Sequence, residues 1–425
     1  MQTSQQLGYA TIRPDQNTAI KSFMEGRDVF ISLPTGSGKS LCFSVLPYAF
    51  DYLHKRVGSI VIVVSPLIAL MKDQVAALNS RGMSTAYLSS ENSDPDQQGK
   101  VLRGEMQIVF IGPELLMMNP TWRDTLMTPI YKRNLVAFVV DEVHCVTKWG
   151  DFFSKEFSTL GEVRSFIPPH VHIMGMTATA TSHTRDRVIA ILGLINPAII
   201  SASPDKPNIA YSVRQKVSIE EAFTPLAMAL KKSRRKLPQV IIFCRRHEEC
   251  SQLYYFFLSF MKDESTEPVG APNLAQFRLF DMYTSVTRKP MQDSIVASFS
   301  KSDASLQIVI CTIAFGMGIN CVDVRQIIDW GPRSDVKSYI QECGRAGRNC
   351  LPAKALLFWK RGDFKSQTVC KDMEGYCCNK VMCRRAMLMS YFDCTVGSHI
   401  IGCDCCDMCA LNCHSNNCNC KSFPM

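Results

Sequence analysis

Short, unbroken apolar runs recur along the chain. Each closes in a polar or glycine-containing turn, and amphipathic stretches lie between them. Val29 to Ile31, Ile60 to Val64, Ile108 to Ile111, Leu135 to Val140 and the stretch from Ile173 to Met176 are such runs in the first half. Val240 to Cys244 and the stretch from Leu306 to Thr312 restart the pattern in the second. A run that is apolar at every position, not every second one, is buried on both faces, as in a parallel sheet. Between the runs, Ala19, Ile20, Phe23 and Met24 repeat with helical period, as do Leu67, Leu70, Val75 and Leu78. The pattern predicts an α/β fold with parallel sheets. In such sheets the loops after the strands face one crevice, and ligands bind there.

The residues at those strand ends carry chemistry. Val29 to Ile31 leads into Pro34-Thr35-Gly36-Ser37-Gly38-Lys39-Ser40, then apolar Leu41, Phe43, Val45 and Leu46. That is strand, glycine-containing turn, helix. Gly36 and Gly38 let backbone N–H groups, those of Thr35 and Ser37 included, close around phosphate oxygens. The helix N-terminus adds further donors. Lys39 can neutralise the β- and γ-phosphates, and Ser40 can offer its hydroxyl to Mg²⁺. The strict pattern has glycine where this chain has Leu33. Upstream, Tyr9, Arg13 and Gln16 could line one pocket edge, with Gln16 pairing an adenine and Tyr9 or Arg13 stacking on it.

Leu135 to Val140 ends in Asp141-Glu142. Beside a phosphate loop, Asp141 can hold Mg²⁺ and Glu142 can polarise the attacking water. The strand from Ile173 ends in Thr177-Ala178-Thr179, placed to relay the γ-phosphate state. Ser65-Pro66 and Gly112-Pro113-Glu114 close two other strands and are expected to hold a second ligand. In the second half, Arg345 and Arg348 lie three apart in Gln341-Glu-Cys-Gly-Arg-Ala-Gly-Arg. They are expected to share a helix face, and arginines of this kind stabilise charge on a transferring phosphoryl group.

Composition narrows the picture. The 425 residues suffice for two sizeable cores and an appendage. With 46% hydrophobic and 20% charged residues the chain reads as globular, and no apolar run is long enough for a membrane span. A net charge of +9 permits a polyanionic partner without requiring one. Of 20 cysteines, 12 follow residue 369. No basic–apolar secretion signal opens the chain, so clustered cysteines suggest metal before disulfides. Cys403, Cys406 and Cys409 form a three-residue ladder that, with Cys383, makes four thiolates suited to tetrahedral Zn²⁺. Cys405 could compete with Cys406. Cys377, Cys378, Cys394, Cys413, His414, Cys418 and Cys420 leave room for a second site.

These residues carry a resemblance. Gly8-Tyr9…Arg13-Pro…Gln16, the phosphate loop, Ser65-Pro-Leu…Met71-Lys-Asp-Gln, Asp141-Glu-Val-His-Cys and Met176-Thr-Ala-Thr-Ala-Thr resemble the ordered motifs of the RecQ family of DNA helicases. Asp205-Lys-Pro-Asn208 resembles the family's inter-domain link, and Cys383-Arg-Arg with the cysteine ladder resembles its zinc module. Val143 stands where the family usually has Ala, and Asn349 where it has Asp. In the aromatic loop Trp149-Gly-Asp-Phe152-Phe153-Ser, Asp151 and Ser154 replace a usual His and Arg. The likeness covers roughly residues 7 to 410 and includes no match to the winged-helix module many members carry. A core-only member, a short isoform or a fragment is therefore expected.

The resemblance implies two RecA-like domains, 1–203 and 204–364, and a helical zinc-binding domain over 365–425. It implies ATP in the cleft between the first two, read by Tyr9, Arg13 and Gln16 and held by residues 35–40. Asp141 would hold Mg²⁺ and Glu142 would activate water. Arg348 would be the arginine finger, with Arg345 and Gln341 coupling ATP to closure. Single-stranded DNA, junctions or forks would be the partners, met by Ser65, Pro66, Trp149, Phe152 and Phe153. Movement would run 3′ to 5′, in the nucleus. The rivals are a DNA-binding or strand-annealing protein with weak ATPase, motivated by Asp151 and Ser154, and an RNA helicase of the same superfamily.

Overall fold

The computed structural model describes residues 11–89, 94–145, 159–301, 303, 305–316, 324–365, 368–396, 400 and 402–411. Tyr9, Trp149, Asp151, Phe152, Phe153 and Ser154 lie outside the described residues. The chain divides into two units, Met1–Pro204 and Asp205–Met425.

The first unit is built on a seven-stranded sheet: β1 (Val29–Ser32), β2 (Ile60–Val64), β3 (Thr85–Leu88), β4 (Ile108–Ile111), β5 (Leu135–Val140), β6 (His172–Thr177) and β7 (Ala198–Ser201). The spatial order is β3-β4-β2-β5-β6-β1-β7, and every pair is parallel. β1, β2, β4 and β5 are buried at every position, as unbroken apolar runs require. Alternate residues feed two cores. Phe30, Ile62, Val64, Phe138 and Val140 face Trp122, Leu160 and Leu192. Val29, Ile31, Val61, Val63 and Val139 face Phe23, Phe43, Leu46 and Met71. Each such side chain contributes about 1.5–3 kcal/mol on burial.

Asp28, just ahead of β1, fixes that strand from below. Its carboxylate accepts from the Ile173 N–H at 2.8 Å and the Ile195 N–H at 2.7 Å, and pairs with Arg164. The start of β1 is thereby tied to β6 and to the segment entering β7.

The second unit holds a six-stranded parallel sheet: β8 (Ile209–Gln215), β9 (Gln239–Cys244), β10 (Phe280–Tyr283), β11 (Ile308–Cys311), β12 (Val324–Trp330) and β13 (Ala353–Trp359). Its order is β10-β11-β9-β12-β13-β8. One face is aromatic, with Phe223, Trp330 and Phe358 in mutual ring contact.

The cysteine-rich segment, expected to be a domain of its own, belongs to this second unit. Met373, Tyr376, Leu388, Met389, Phe392, Cys405 and Cys406 join one core with Tyr211, Tyr339 and Ala355. The reason is the edge strand β8. Its Tyr211 N–H donates to Cys405 O at 3.2 Å and its Val213 N–H to Asp407 Oδ2 at 2.9 Å. An open strand edge needs such partners, and here the segment supplies them.

Candidate functional site

In the first unit three strand ends converge. β6 lies between β1 and β5, so the loop after β1 and the acidic end of β5 are two strand spacings apart, roughly 10 Å. That gap suits a polyphosphate with a divalent ion.

β1 runs through Leu33-Pro34 into a loop where Gly36 and Gly38 have φ of 84° and 74°, a region that favours glycine. Helix Ser40–Ser44 follows and gives way after Val45 to helix Leu46–His54. Lys39 Nζ donates to Leu33 O at 2.9 Å, so its ammonium is held over the loop. Gln16 is buried, and its amide is already engaged. Nε2 donates to Ser37 O at 2.8 Å and Gly38 O at 3.1 Å, while Oε1 accepts from the Arg13 N–H at 2.9 Å. A Cβ at Gly38 would come within 2.8 Å of Gln16 Nε2. Gln16 thus braces the phosphate loop. The sequence hid this because the partners are main-chain carbonyls more than 20 residues away.

At the end of β5, Asp141 is buried and its Oδ1 accepts from the Glu142 N–H at 2.9 Å. Burial raises its pKa to about 7, the adjacent Glu142 pushes the same way, and the Lys39 ammonium pulls it back. Two adjacent carboxylates at a strand end, Asp141 buried and Glu142 partly exposed, fit a divalent cation, with Asp141 and Ser40 as the residues that would hold Mg²⁺. Glu142 sits at φ 49°, an uncommon conformation for a non-glycine residue. Strain of this kind gathers at functional sites.

His144, which sequence reasoning left without a role, links two motifs. Its Nδ1 is 3.2 Å from Glu142 Oε2 and 3.1 Å from Thr177 Oγ1. Burial opposes its charge, but Cys145 and the Glu142 carboxylate outweigh this and raise its pKa to about 10. The imidazolium therefore ties Glu142 to the Thr-rich end of β6. Its signal in the sequence was its position two residues after Glu142. Val143 is buried against the face of Gly175, where the missing side chain leaves room for its branched methyls. Ser65 is 1% exposed and Pro66 half-buried.

In the second unit, helix Val336–Cys343 carries Gln341 and ends before Arg345. Arg345 and Arg348 therefore do not share a helix face. They sit in a turn whose path is set by Gly347 at φ 60°. The Gly-Arg-Ala-Gly spacing signalled that break, since glycine is a poor helix former. The helix is held by a buried triad: Arg333 Nε lies 2.8 Å from Asp329 Oδ1 and 2.7 Å from Glu342 Oε2. Burial pushes the Asp329 and Glu342 carboxyls above their ordinary range, against the pull of Arg333. Asn349 Oδ1 accepts from Arg325 Nη1 at 2.7 Å.

Four thiols converge in the cysteine-rich segment: Cys383, Cys405, Cys406 and Cys409, all within 4.8 Å of one another. Cys383 Sγ is 3.5 Å from Cys405 Sγ and 3.8 Å from Cys406 Sγ. Tetrahedral zinc at about 2.3 Å from each sulfur needs sulfurs roughly 3.8 Å apart, so the group fits. Cys406 Sγ also accepts N–H bonds from Arg384 and Cys409, both at 3.4 Å. Cys403, expected as a member, is replaced by Cys405. Which members of a cysteine ladder reach one ion depends on the local backbone path, which spacing alone does not fix. Here Gly402–Asp404 is a 3-10 turn, Cys406 is extended, and the helix starts at Asp407. Burial works against the Cys383 thiolate, but the Ala386 N–H and the neighbouring thiols hold its pKa below the ordinary value. Burial and the Cys383 partner push Cys405 up to about 11. Thiols so crowded cannot all ionise without a cation.

Two family models match the chain: the DEAD/DEAH box helicase over residues 13–188 and the helicase conserved C-terminal domain over residues 221–350. The ATP-dependent DNA helicase RecQ of Haemophilus influenzae is 31% identical over 423 residues, covering 95% of this chain and 62% of its own. The ATP-dependent DNA helicase Q1 of Mus musculus is 30% identical over 399 residues, covering 90% and 57%. The chain thus spans about three fifths of the length of these curated relatives. Among solved structures, the Mycobacterium smegmatis helicase Lhr bound to ssDNA and AMP-PNP matches with a TM-score of 0.65 at 20% identity, over 84% of this chain and 47% of that one. The DEAD-box helicase Mss116 bound to ssRNA and UDP-BeF matches with a TM-score of 0.66 at 16% identity, over 88% and 73%. At such identities the structures establish the fold.

Proposed function

We propose that this chain, which belongs to the RecQ family of helicases, hydrolyses ATP to move along single-stranded DNA and separate strands, in the 3′ to 5′ sense. The observation that carries the reading is the placement of the Lys39 loop and the Asp141–Glu142 pair at neighbouring ends of one parallel sheet, with Thr177 between them.

Residues 35–38 wrap the phosphates through their N–H groups, and Lys39 neutralises the charge that builds on the β–γ bridge. Mg²⁺, when bound, neutralises the phosphate oxygens. On this chain, Asp141 and Ser40 are its holders. Glu142 takes a proton from the attacking water, and His144 orients that carboxylate from the side of Thr177. Arg345 and Arg348 stabilise charge on the transferring phosphoryl group, with Gln341 near them in sequence. Such arginines are worth about 10³–10⁵ in rate. Tyr9, Arg13 and Gln16 read the adenine, and Gln16 also braces the loop beneath. Trp149, Phe152 and Phe153 stack on bases, which is tolerant of sequence and suits a motor. Cys383, Cys405, Cys406 and Cys409 would hold a structural zinc, and forks or junctions in the nucleus are the DNA partners. The direct test is strand separation of a labelled duplex with a 3′ or a 5′ single-stranded tail. ATP-dependent release from the 3′-tailed substrate alone is expected. Preference for the 5′ tail, or release without ATP, contradicts the reading.

A further inference from the structure

The turn that bears Arg345 and Arg348 is held from a distant part of the second unit. Lys206 Nζ donates to Gly344 O at 2.5 Å and to Ala346 O at 3.4 Å. Asn208 Nδ2 donates to Gly347 O at 2.9 Å and Leu351 O at 2.8 Å. These carbonyls follow the end of helix Val336–Cys343, where helical partners run out and a cation is favoured. Gly347 is required twice. Its φ is 60°, and a Cβ there would collide with the Asn208 amide. The close approach of Asn208 is thus built into the turn.

Residues 205–209 are gripped in their own right. Arg385, fully buried, donates from Nη1 to the Asp205 carboxylate and to Lys206 O, the latter at 2.9 Å, and from Nη2 to Ile209 O. Its guanidinium lies 5.2 Å from the Tyr211 ring centre. Arg385 follows Cys383 by two residues, and Arg384 between them holds Asp407 Oδ1 at 2.9 Å and Tyr376 O at 2.6 Å. The main chain from Cys383 to Arg385, the charge-assisted hydrogen bonds of Arg385 and Lys206, and the amide bonds of Asn208 together connect the thiol group, through residues 205–209, to the turn at 344–351.

We infer that Lys206 and Asn208 are positioning residues for Arg345 and Arg348, and that Arg385 anchors the segment that carries them. The inference rests on the reading that these two arginines serve ATP hydrolysis. Displacing a catalytic group by about 1 Å costs on the order of 100-fold. Such a loss falls on kcat, because the turn's arginines act on the transition state while the Lys39 loop binds the nucleotide.

The test is steady-state ATP turnover at saturating single-stranded DNA, with ATP varied. Asn208→Ala and Lys206→Ala are expected to lower kcat by roughly 10- to 100-fold with KM for ATP changed less than about threefold. Lys206→Arg, which keeps a cation at the carbonyls, is expected to recover most of the rate. In an Arg345→Ala/Arg348→Ala background, Asn208→Ala is expected to cost less than about twofold more, and in Arg348→Ala alone less than its cost in wild type, since it acts through that turn. Arg385→Lys is expected to lower kcat while zinc content by elemental analysis stays at the wild-type value. Wild-type kcat in Asn208→Ala and Lys206→Ala beside an impaired Arg348→Ala overturns this inference and leaves the ATPase reading standing. So does a loss that multiplies fully with Arg348→Ala. Wild-type kcat in Arg348→Ala overturns the role of the arginines, and the inference with it.

Discussion

Asp28→Ala tests whether β1, and the phosphate loop it feeds, is anchored from below. The carboxylate is 1% exposed and accepts two main-chain N–H bonds, at 2.8 Å from Ile173 and 2.7 Å from Ile195, besides pairing with Arg164. A hydrogen bond to a charged group contributes about 1.5–3 kcal/mol, and an N–H left buried and unmet costs about 1–3 kcal/mol. Arg164 is a quarter exposed, so it recovers much of its hydration when the partner is lost. The sum points to a destabilisation of about 3–5 kcal/mol for the first unit. For a unit of about 200 residues each kcal/mol lowers the midpoint by about 2–4 °C, so a drop of roughly 6–20 °C is expected. Asp28→Asn keeps one acceptor and should fall between alanine and wild type. Differential scanning calorimetry of wild type and both variants reads the shift. A shift under about 1 °C in Asp28→Ala would refute the anchoring.

Two further outcomes follow from the sites. Asp141 has a folded-state pKa of about 7, raised by burial, against a value near 3.9 unfolded. Between those values the folded state holds a proton the unfolded state has lost, so this residue's contribution to stability falls as pH rises from about 4 to 7 and is flat above. In chelator, Asp141→Asn should therefore gain stability over wild type at pH 8 and gain little at pH 4, by urea unfolding, while losing ATP turnover. Cys406→Ser should cut zinc to well below one per chain by elemental analysis. It should also lower the second unit's unfolding midpoint, because Cys405 and Cys406 sit in the same core as Tyr211 and Tyr339.

The parts legible in the sequence were those that repeat locally. Unbroken apolar runs located β2, β5 and β9, and motif spacing located Lys39, Asp141 and Glu142 at strand ends. β7 was hidden because as an edge strand it alternates, exposing Ile199. β12 was hidden because Arg325, Gln326 and Asp329 interrupt its apolar pattern, and Asp329 is tolerated only through Arg333. The thiol group differs in one member, Cys405 for Cys403, because the backbone path through Gly402 to Cys406 decides which sulfurs converge, and the spacing does not encode it. Gln16 is expected at adenine because its amide can read a base. Its engagement with Ser37 and Gly38 carbonyls depends on tertiary approach, which no local spacing encodes. The grip of Lys206 and Asn208 on residues 344–351 was invisible for the same reason.

On the proposed function, the first unit's strand-end site hydrolyses ATP in response to single-stranded DNA. This is tested most directly by ATP turnover of wild type and Glu142→Gln, with and without single-stranded DNA, and with single-stranded RNA as control. Removing the carboxylate that activates water should lower turnover by at least about 100-fold while leaving ATP binding within severalfold. Wild type should be stimulated by DNA and far less by RNA. Turnover that DNA does not change, that RNA alone stimulates, or that survives in Glu142→Gln would contradict the account.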